Sequence, residues 1–501
     1  MTRLLLISSL AGAVAASATA QAVDATSDLR RHGATLTVEY QTLRVPGDQP
    51  IDLLGFHAYQ RLAEGLYAGG GFYAPMVRGA YGGFVAADLG LHLRRPLAGP
   101  WVALAGVSAG GGGGGRSVEH SKQFSGSGGF VRAHVGLGYD FGGPTLGLTA
   151  SRLKFRGALL DSTQANLILE LPFRYLTGPF SRHGQLLSPA DDRRAAEEMG
   201  EAQFTLSLDN FHQRSPRGAF TGTLRVADLQ YARYFTADQY WFASLAMGYS
   251  GLPLYNQVLG GLGQRWRWSP ELTLYAQLGL GSGGYSSEKV DTGPGLLVAP
   301  RVAAEFALTP QLGLAVSAGT LSAPQGSFRN LSWGLSLTHH LRSRAAAEAP
   351  GPASFQGMRL SVMHQTDLAL RYRGIERPSL HLIGLQLDVP LSPRWYVPLQ
   401  ASAAYNAYLG YPGYAEILGG LGVQTRLDAG ERWQAFAQLL GGANVHGKAG
   451  KASLGLRHVL DERLALHASA GQLASRSASG GRFEARHVSV GLDYRFAVPV
   501  R

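Results

Sequence analysis

The residues of this 501-residue chain whose types can do chemistry are its histidines, its arginines and one glycine run. A histidine acting as base in acyl transfer needs a hydroxyl nucleophile and an orienting acid within hydrogen-bond reach. His120, His212 and His446 fall in or near stretches that read as loops, and none has a Ser and an acid at an interpretable spacing. They read as solvated loop histidines. His339 and His340 adjoin at the end of a candidate strand with no third ligand, short of what a zinc site requires. The run Gly110–Gly115 leads into Arg116 and Ser117, not into the Lys and Ser/Thr of a phosphate loop, and reads as a flexible loop. The chain has no cysteine, which excludes disulfides, thiolate zinc sites and cysteine nucleophiles together. The sequence asks for no metal and no cofactor.

The arginines take their meaning from the elements that carry them. Near the end of the chain Val488, Val490, Leu492, Tyr494 and Phe496 alternate with Ser489, Gly491, Asp493 and Arg495. In a strand the two sets point to opposite faces, one apolar and one polar. Between Ala34 and Phe496 about 24 segments of this kind follow one another, each about 10 to 14 residues long, against about 5 or 6 for a soluble strand and about 9 to 11 for a tilted membrane-crossing one. Tight turns at Pro96–Gly99, Gly142-Gly143, Thr236–Gln239, Ser269–Glu271 and Asp428–Glu431 alternate with longer connections at Gly110–Gly128, Gly281–Gly295 and Arg371–Pro378. Short turns on one side and long loops on the other are the asymmetry of outer-membrane barrels.

The bulk numbers agree with that class. The chain holds 68 Gly, 21 Tyr and 20 Phe with only 16% charged residues, unusual for soluble domains. After the first residues no apolar run reaches the length of a membrane helix. The net charge of +11 is scattered, which argues against nucleic acid and for contact with lipopolysaccharide phosphates or for lumen charge. Residues 1–22 read as a secretory signal, with Arg3, an apolar stretch from Leu4 to Ala16 and small residues up to Ala22.

The chain thus resembles the bacterial outer-membrane β-barrel family along essentially all of its mature length. The family's C-terminal assembly signal, a glycine followed by alternating apolar or aromatic positions, is matched by Gly491, Leu492, Tyr494 and Phe496, with the departure that Ala497 to Arg501 follow. The resemblance implies an integral location in the bacterial outer membrane, with membrane lipid, lipopolysaccharide and the barrel-assembly machinery as partners.

Internal repetition sets the organisation. Val258–Gly263 returns as Ile417–Gly422, Tyr275–Leu278 as Phe436–Leu439, Ser317–Leu321 as Ser469–Leu473 and Trp333–Leu337 as Val490–Tyr494. A more diverged copy precedes them, with Leu89-Gly90, Leu104–Val107 and Leu146–Leu148 in the matching places. Repeats of about eight strands are therefore placed at 33–178, 201–342 and 357–497. Between them lie 179–200, where Ser188-Pro189 followed by acids signals a short helix, and the Pro/Ala-rich linker 343–356. One barrel of all the strands would have a lumen wider than that of the 22-stranded transporters, which need a plug, whereas eight strands are filled by their own side chains. The fold expected is all-β, an antiparallel up-and-down membrane barrel architecture, with three small barrels preferred to one large barrel.

Alternation turns Arg265 and Arg267 into the lumen and aligns Arg94, Arg267 and Arg426 as a recurring inward arginine at the short-turn end. Asp140 and Glu305 face inward two strands away, Arg301 stands above Glu305, and Arg457 takes the acid's place in the third repeat. These charges read as an ion-pair network that holds small barrels closed, in preference to an anion-selective constriction. Trp266, Trp268, Trp395, Trp433, Tyr240, Trp241, Tyr396, Tyr494 and Phe496 read as an interfacial aromatic girdle. The function expected is a non-enzymatic envelope scaffold or surface-loop protein. The alternative is a porin-like or export channel for small solutes or a polymer. A lipid A-modifying enzyme is disfavoured.

Overall fold

The structure is a computed structural model and describes residues 27–79, 81–114, 128–157, 159–214, 220–253, 255–284, 289–309, 311–342, 353–409, 413–427, 431–477 and 480–500. The expected signal segment, His120 and most of the 343–356 linker lie outside these residues. The first barrel consists of β1 (Arg30–Leu43), β2 (Ile51–Ala63), β3 (Leu66–Pro75), β4 (Phe84–Pro96), β5 (Trp101–Gly114), β6 (Gly129–Asp140), β7 (Thr145–Phe155) and β8 (Asp161–Thr177). The second consists of β9 (Ala202–Gln213), β10 (Thr223–Tyr234), β11 (Gln239–Ser250), β12 (Asn256–Arg267), β13 (Leu272–Gly284), β14 (Leu296–Ala307), β15 (Leu312–Ser322) and β16 (Arg329–Arg342). The third consists of β17 (Ser354–Tyr372), β19 (Leu380–Pro390), β20 (Trp395–Ala404), β21 (Ala415–Gln424), β22 (Trp433–Asn444), β23 (Gly447–Val459), β24 (Leu464–Arg476) and β25 (Arg482–Val500), with the two-residue β18 (Ile375–Glu376) folded onto the end of β17. Each barrel is antiparallel and closes on itself: β1 pairs β8 at Leu36↔Leu171, β9 pairs β16 at Leu208↔Leu335, and β17 pairs β25 at Leu360↔Tyr494. The all-β architecture of three separate eight-stranded barrels is the one the repeats and the lumen-size argument favoured.

The alternation that makes these strands is inverted with respect to a soluble sheet. Along β7 burial alternates at every residue: Thr145, Thr149 and Ser151 are buried, and Leu146 and Leu148 are exposed. Leu148 is 66% exposed while its neighbour Thr149 is 2% exposed. β7 therefore turns hydroxyls inward and leucine outward, the facing suited to a hydrocarbon surround. Leu439 and Leu454 continue the band on the third barrel.

At the long-loop end the interiors become apolar. Leu43, Ile51, Phe84 and Phe155 close the first barrel, Leu224, Tyr255, Leu297 and Phe328 the second, and Leu380, Tyr408, Tyr414 and Phe483 the third. Three sequence readings are corrected here. The glycines 110–114 are not loop but the end of β5, paired with β4 from Asp88↔Gly110 to Phe84↔Gly114, and Gly281–Gly284 end β13. A Cβ on Gly110 would stand 1.9 Å from the Ala87 carbonyl, so tight backbone approach, not flexibility, selects glycine. Tyr240 and Tyr396 are not girdle residues; both are buried inside their barrels, each lying against a glycine on the neighbouring strand. A Cβ on Gly263 would meet the Tyr240 ring at 2.2 Å and one on Gly422 the Tyr396 ring at 2.1 Å.

The barrels touch in a repeating way. The third strand of each meets the fifth strand of the next: β3 meets β13, β11 meets β22, and β20 meets β5. The loop after β3 supplies backbone carbonyls to the second barrel, accepting from Leu296 N at Met76 O at 3.0 Å and from Asn256 Nδ2 at Gly83 O at 3.1 Å. A head-to-tail contact used three times closes into a ring, so one chain carries an internal pseudo-trimer. The short-turn end is clasped differently. Helix α1 (Pro189–Met199) is capped by Ser188, whose hydroxyl accepts from Asp191 N at 3.1 Å. The segment before it pairs with the start of β17, through Gly184 N to Phe355 O at 2.8 Å and Phe355 N to Gln185 O at 2.9 Å. Leu29, Leu176, Leu187, Ala195, Phe355 and Ala497 form one apolar cluster there, joining the first and third barrels.

Candidate functional site in the barrel lumens

In the first barrel a ladder of charges runs down the lumen. Arg132, 2% exposed in its side chain, pairs with Glu39 and donates to His134 Nδ1 at 3.1 Å. His134 stands 3.3 Å from His92, His92 Nε2 lies 2.6 Å from Glu170, and Arg94 reaches Glu170 at 3.4 Å and pairs with Asp140 beside the turn. Asn166 donates to Glu39 at 2.8 Å, and His57 pairs with Asp88 at 3.0 Å above it. Alternation puts each of these side chains inside.

In the second barrel Arg265 makes two bonds of 2.6 Å to Glu201 at the short-turn mouth, donates to Ala237 O at 2.6 Å, and lies 4.0 Å over the Tyr234 ring. Arg267, one step further out, is 3.9 Å from the same carboxylate and partly exposed. Arg301 binds Asp209 at 2.7 and 3.0 Å and Ser317 at 2.5 Å, so its partner is not Glu305; Glu305 instead meets His340 at 2.7 Å. His340, read from sequence as half of an idle pair, is thus a buried partner of an acid.

In the third barrel Arg457 bonds Asp493 at 2.5 Å, Gln434 at 2.9 Å and Asp388 at 3.4 Å. Arg359 joins Asp388 at 3.1 Å and Gln424 at 2.6 Å, and Lys451 reaches Gln365 at 2.5 Å and Glu416 at 3.4 Å. The recurring arginine does not extend here: β21 ends at Gln424, and Arg426 lies exposed in the turn beyond it. The lumen cation at that level comes from Arg359 on the first strand of the repeat. His446, expected in solvent, is buried against Tyr408 Oη at 2.5 Å and stacked on Tyr372.

Sequence reasoning brought Arg94 to Asp140 but missed Glu39, Arg132, His92, Glu170, Glu201, Asp209, Arg359, Asp388 and Lys451. The signal was available, since all but Glu201 sit at inward positions of alternating strands and Glu201 directly precedes one. At the end of the chain Gly491 lies against His467, Leu492, Tyr494 and Phe496 take alternate outward positions, and Tyr494 and Phe496 hold their rings 5.5 Å apart. Phe496 packs with Met358, Phe204 and Tyr231 at the seam between the second and third barrels. Ala497–Val500 continue β25, and Ala497 exchanges two backbone bonds with Gly178.

Among the described residues no group of His, Cys, Asp and Glu is arranged to hold a metal ion. A cavity of about 30 Å³ in the second lumen, beside Asp209, Asp228, Gln277 and Arg301, and one of about 10 Å³ in the third, beside Lys451 and Arg457, have room for a water or two.

No family model and no curated protein matches the chain. Among solved structures it is similar to the outer membrane protein Ail of Yersinia pestis, at 16% identity over 28% of this chain and 99% of Ail, with a TM-score of 0.21. It is also similar to the ferric enterobactin receptor PfeA of Pseudomonas aeruginosa, at 9% identity over 93% of this chain and 80% of the receptor, with a TM-score of 0.28. The siderophore receptor PiuA of Acinetobacter baumannii matches at 9% identity over 93% and 81%, with a TM-score of 0.30.

Proposed function

We propose that the chain is an integral protein of the bacterial outer membrane whose three sealed barrels act as a non-enzymatic envelope scaffold that presents long loops. The short-turn end then faces the periplasm and the long-loop end the outside, with membrane lipid, lipopolysaccharide and the barrel-assembly machinery as partners. Gly491, Leu492, Tyr494 and Phe496 are the assembly signal in this reading. The observation that carries the scaffold reading is that each lumen is filled along its length, by apolar clusters at the long-loop end and by ion pairs below them. In the low-dielectric interior those charges are held only as pairs, so opening a path means breaking them.

A second reading is passage of a small solute or an exported polymer. It is favoured by the polar lining of the second lumen, where Asp209, Asp228, Gln230, Gln257 and Gln277 surround the cavity. Planar-bilayer recording of the purified chain separates the two: the scaffold reading expects no discrete openings, and large, anion-biased steps refute it. Arg94, Arg267 and Arg359 changed together to Ala lower only thermal resistance if the lumens are closed, and shift ion selectivity if they conduct.

A further inference from the structure

The outer rim of the second barrel carries an arginine group that differs from its counterparts. Arg329 opens β16, Arg214 stands just past β9, and their backbones are joined by Arg214 N to Arg329 O at 2.9 Å. One row below, His212 lies opposite Leu331 on one side and Thr223 on the other, and in the next row Asn210 lies between Trp333 and Arg225. Val226 and Asp209, the inward pair beside this row, are buried, so alternation turns Arg225 and Asn210 outward. Arg214, Arg225, Arg329 and His212 are all exposed.

Like charges facing each other across neighbouring strands repel, and a fold tolerates them where a counter-charge is supplied. At the same rim of the other barrels the protein supplies it: Asp161 takes Arg152 at 2.8 Å and Lys154 at 3.2 Å, Glu376 takes Arg371 at 3.2 Å, and Glu484 takes Arg482. Around Arg214, Arg225 and Arg329 no carboxylate stands within ion-pair distance among the described residues. Leu331 and Trp333 lie on the same outward face in the His212 and Asn210 rows, and Leu208 and Leu335 fill the row beneath, all four exposed. The seam that these strands make with the third barrel lies at their opposite ends, at Phe204, Tyr231 and Leu341.

We propose that this corner of the second barrel binds a phosphorylated lipid of the outer leaflet, its phosphate groups held by Arg214 and Arg329 at the rim and by Arg225 two rows below, and its acyl chains lying along Leu208 and Leu335. Guanidinium groups match phosphate oxygens through paired charge-assisted hydrogen bonds, and the leucine wall beneath selects an amphiphile over a free anion. The inference rests on the outer-membrane reading.

The test uses the full chain refolded in detergent micelles, with bisphosphorylated lipid A as probe and dephosphorylated lipid A and inorganic phosphate as comparisons. Binding is read from native mass spectrometry and from quenching of tryptophan fluorescence. The triple variant R214Q/R225Q/R329Q is expected to bind lipid A about tenfold or more weakly. The triple Lys variant, which keeps the charge but not the paired hydrogen bonds, is expected to fall between the native chain and the Gln variant, and R371Q/R482Q in the third barrel to stay near the native affinity. Heat-modified gel migration reports that each variant is folded. Undiminished binding by the folded Gln variant overturns the proposal, as does equal loss in R371Q/R482Q or displacement of lipid A by inorganic phosphate at matching concentration. Failure of the native chain to insert into any bilayer refutes the outer-membrane reading itself and is scored separately by protease protection in vesicles.

Discussion

Replacing Arg265 by Met tests the claim that buried pairs hold each lumen shut. The side chain is 2% exposed and its partner Glu201 is 6% exposed, with two bonds of 2.6 Å between them. Removing the guanidinium leaves a carboxylate in the mouth of the barrel and the Ala237 carbonyl without its donor. A buried pair broken from one side costs about 3–5 kcal/mol, and Arg267, only 3.9 Å from Glu201, offsets part of that and places the expected loss near 3 kcal/mol. Replacing both residues by Met removes the stranded charge, and the expected cost falls to about 0–1 kcal/mol. The coupling of about 2 kcal/mol or more stands well above the additivity error of about 0.3–0.5 kcal/mol. The assay is reversible urea unfolding of the chain in phospholipid vesicles followed by fluorescence. Of the chain's 7 tryptophans Trp241, Trp266, Trp268 and Trp333 lie in the second barrel, so the signal weights the part being tested. A single-variant cost below about 1 kcal/mol, or strict additivity of the two changes, refutes the reasoning.

Leu454, 71% exposed on the outer face of the third barrel, changed to Arg is expected to lose about 2–4 kcal/mol in vesicles if it sits near the bilayer midplane; a neutral result places that face in water. Gly422→Ala drives a methyl into the Tyr396 ring and should cost about 1–3 kcal/mol, with recovery when Tyr396 is also shortened to Leu; equal loss with and without the second change contradicts the contact. Helix α1 is tied to β1 by Glu198, whose carboxyl is held below the usual range by its hydrogen bond with Arg31 and by Arg194. A lowered carboxyl pKa adds stability that is complete above the ordinary glutamate range and disappears as pH falls through the lowered value. Both side chains are partly exposed, so the effect is small; proteolysis of the helix segment should rise on acidification in the native chain and not in E198Q.

The division between what was legible and what was not follows particular residues. Leu148 beside Thr149, or Val490 beside Ser489, shows its facing in the sequence because a strand alternates every residue, whatever surrounds it. The three repeats and the helix-capping Ser188 are equally local. Tyr240 and Tyr396 were misplaced because an aromatic near a strand end suits a girdle or a lumen alike, and only the opposing Gly263 and Gly422 leave room for a ring inside. The glycine run at 110–114 was misplaced because close approach of another strand and loop flexibility select the same residue.

Strand length, inside-or-outside facing and the threefold repetition were determined by the sequence itself, because each depends on backbone geometry over a few residues or on self-similarity. Which charges meet was decided only by the closed barrels. Arg132 finds Glu39 across a separation of 93 residues and Arg265 finds Glu201 across 64, pairings set by strand register and by closure of first strand on last. The ring in which the third strand of one barrel meets the fifth of the next is of the same kind, since each repeat's outward face reads simply as apolar and the choice between lipid and a neighbouring barrel is made when the faces assemble.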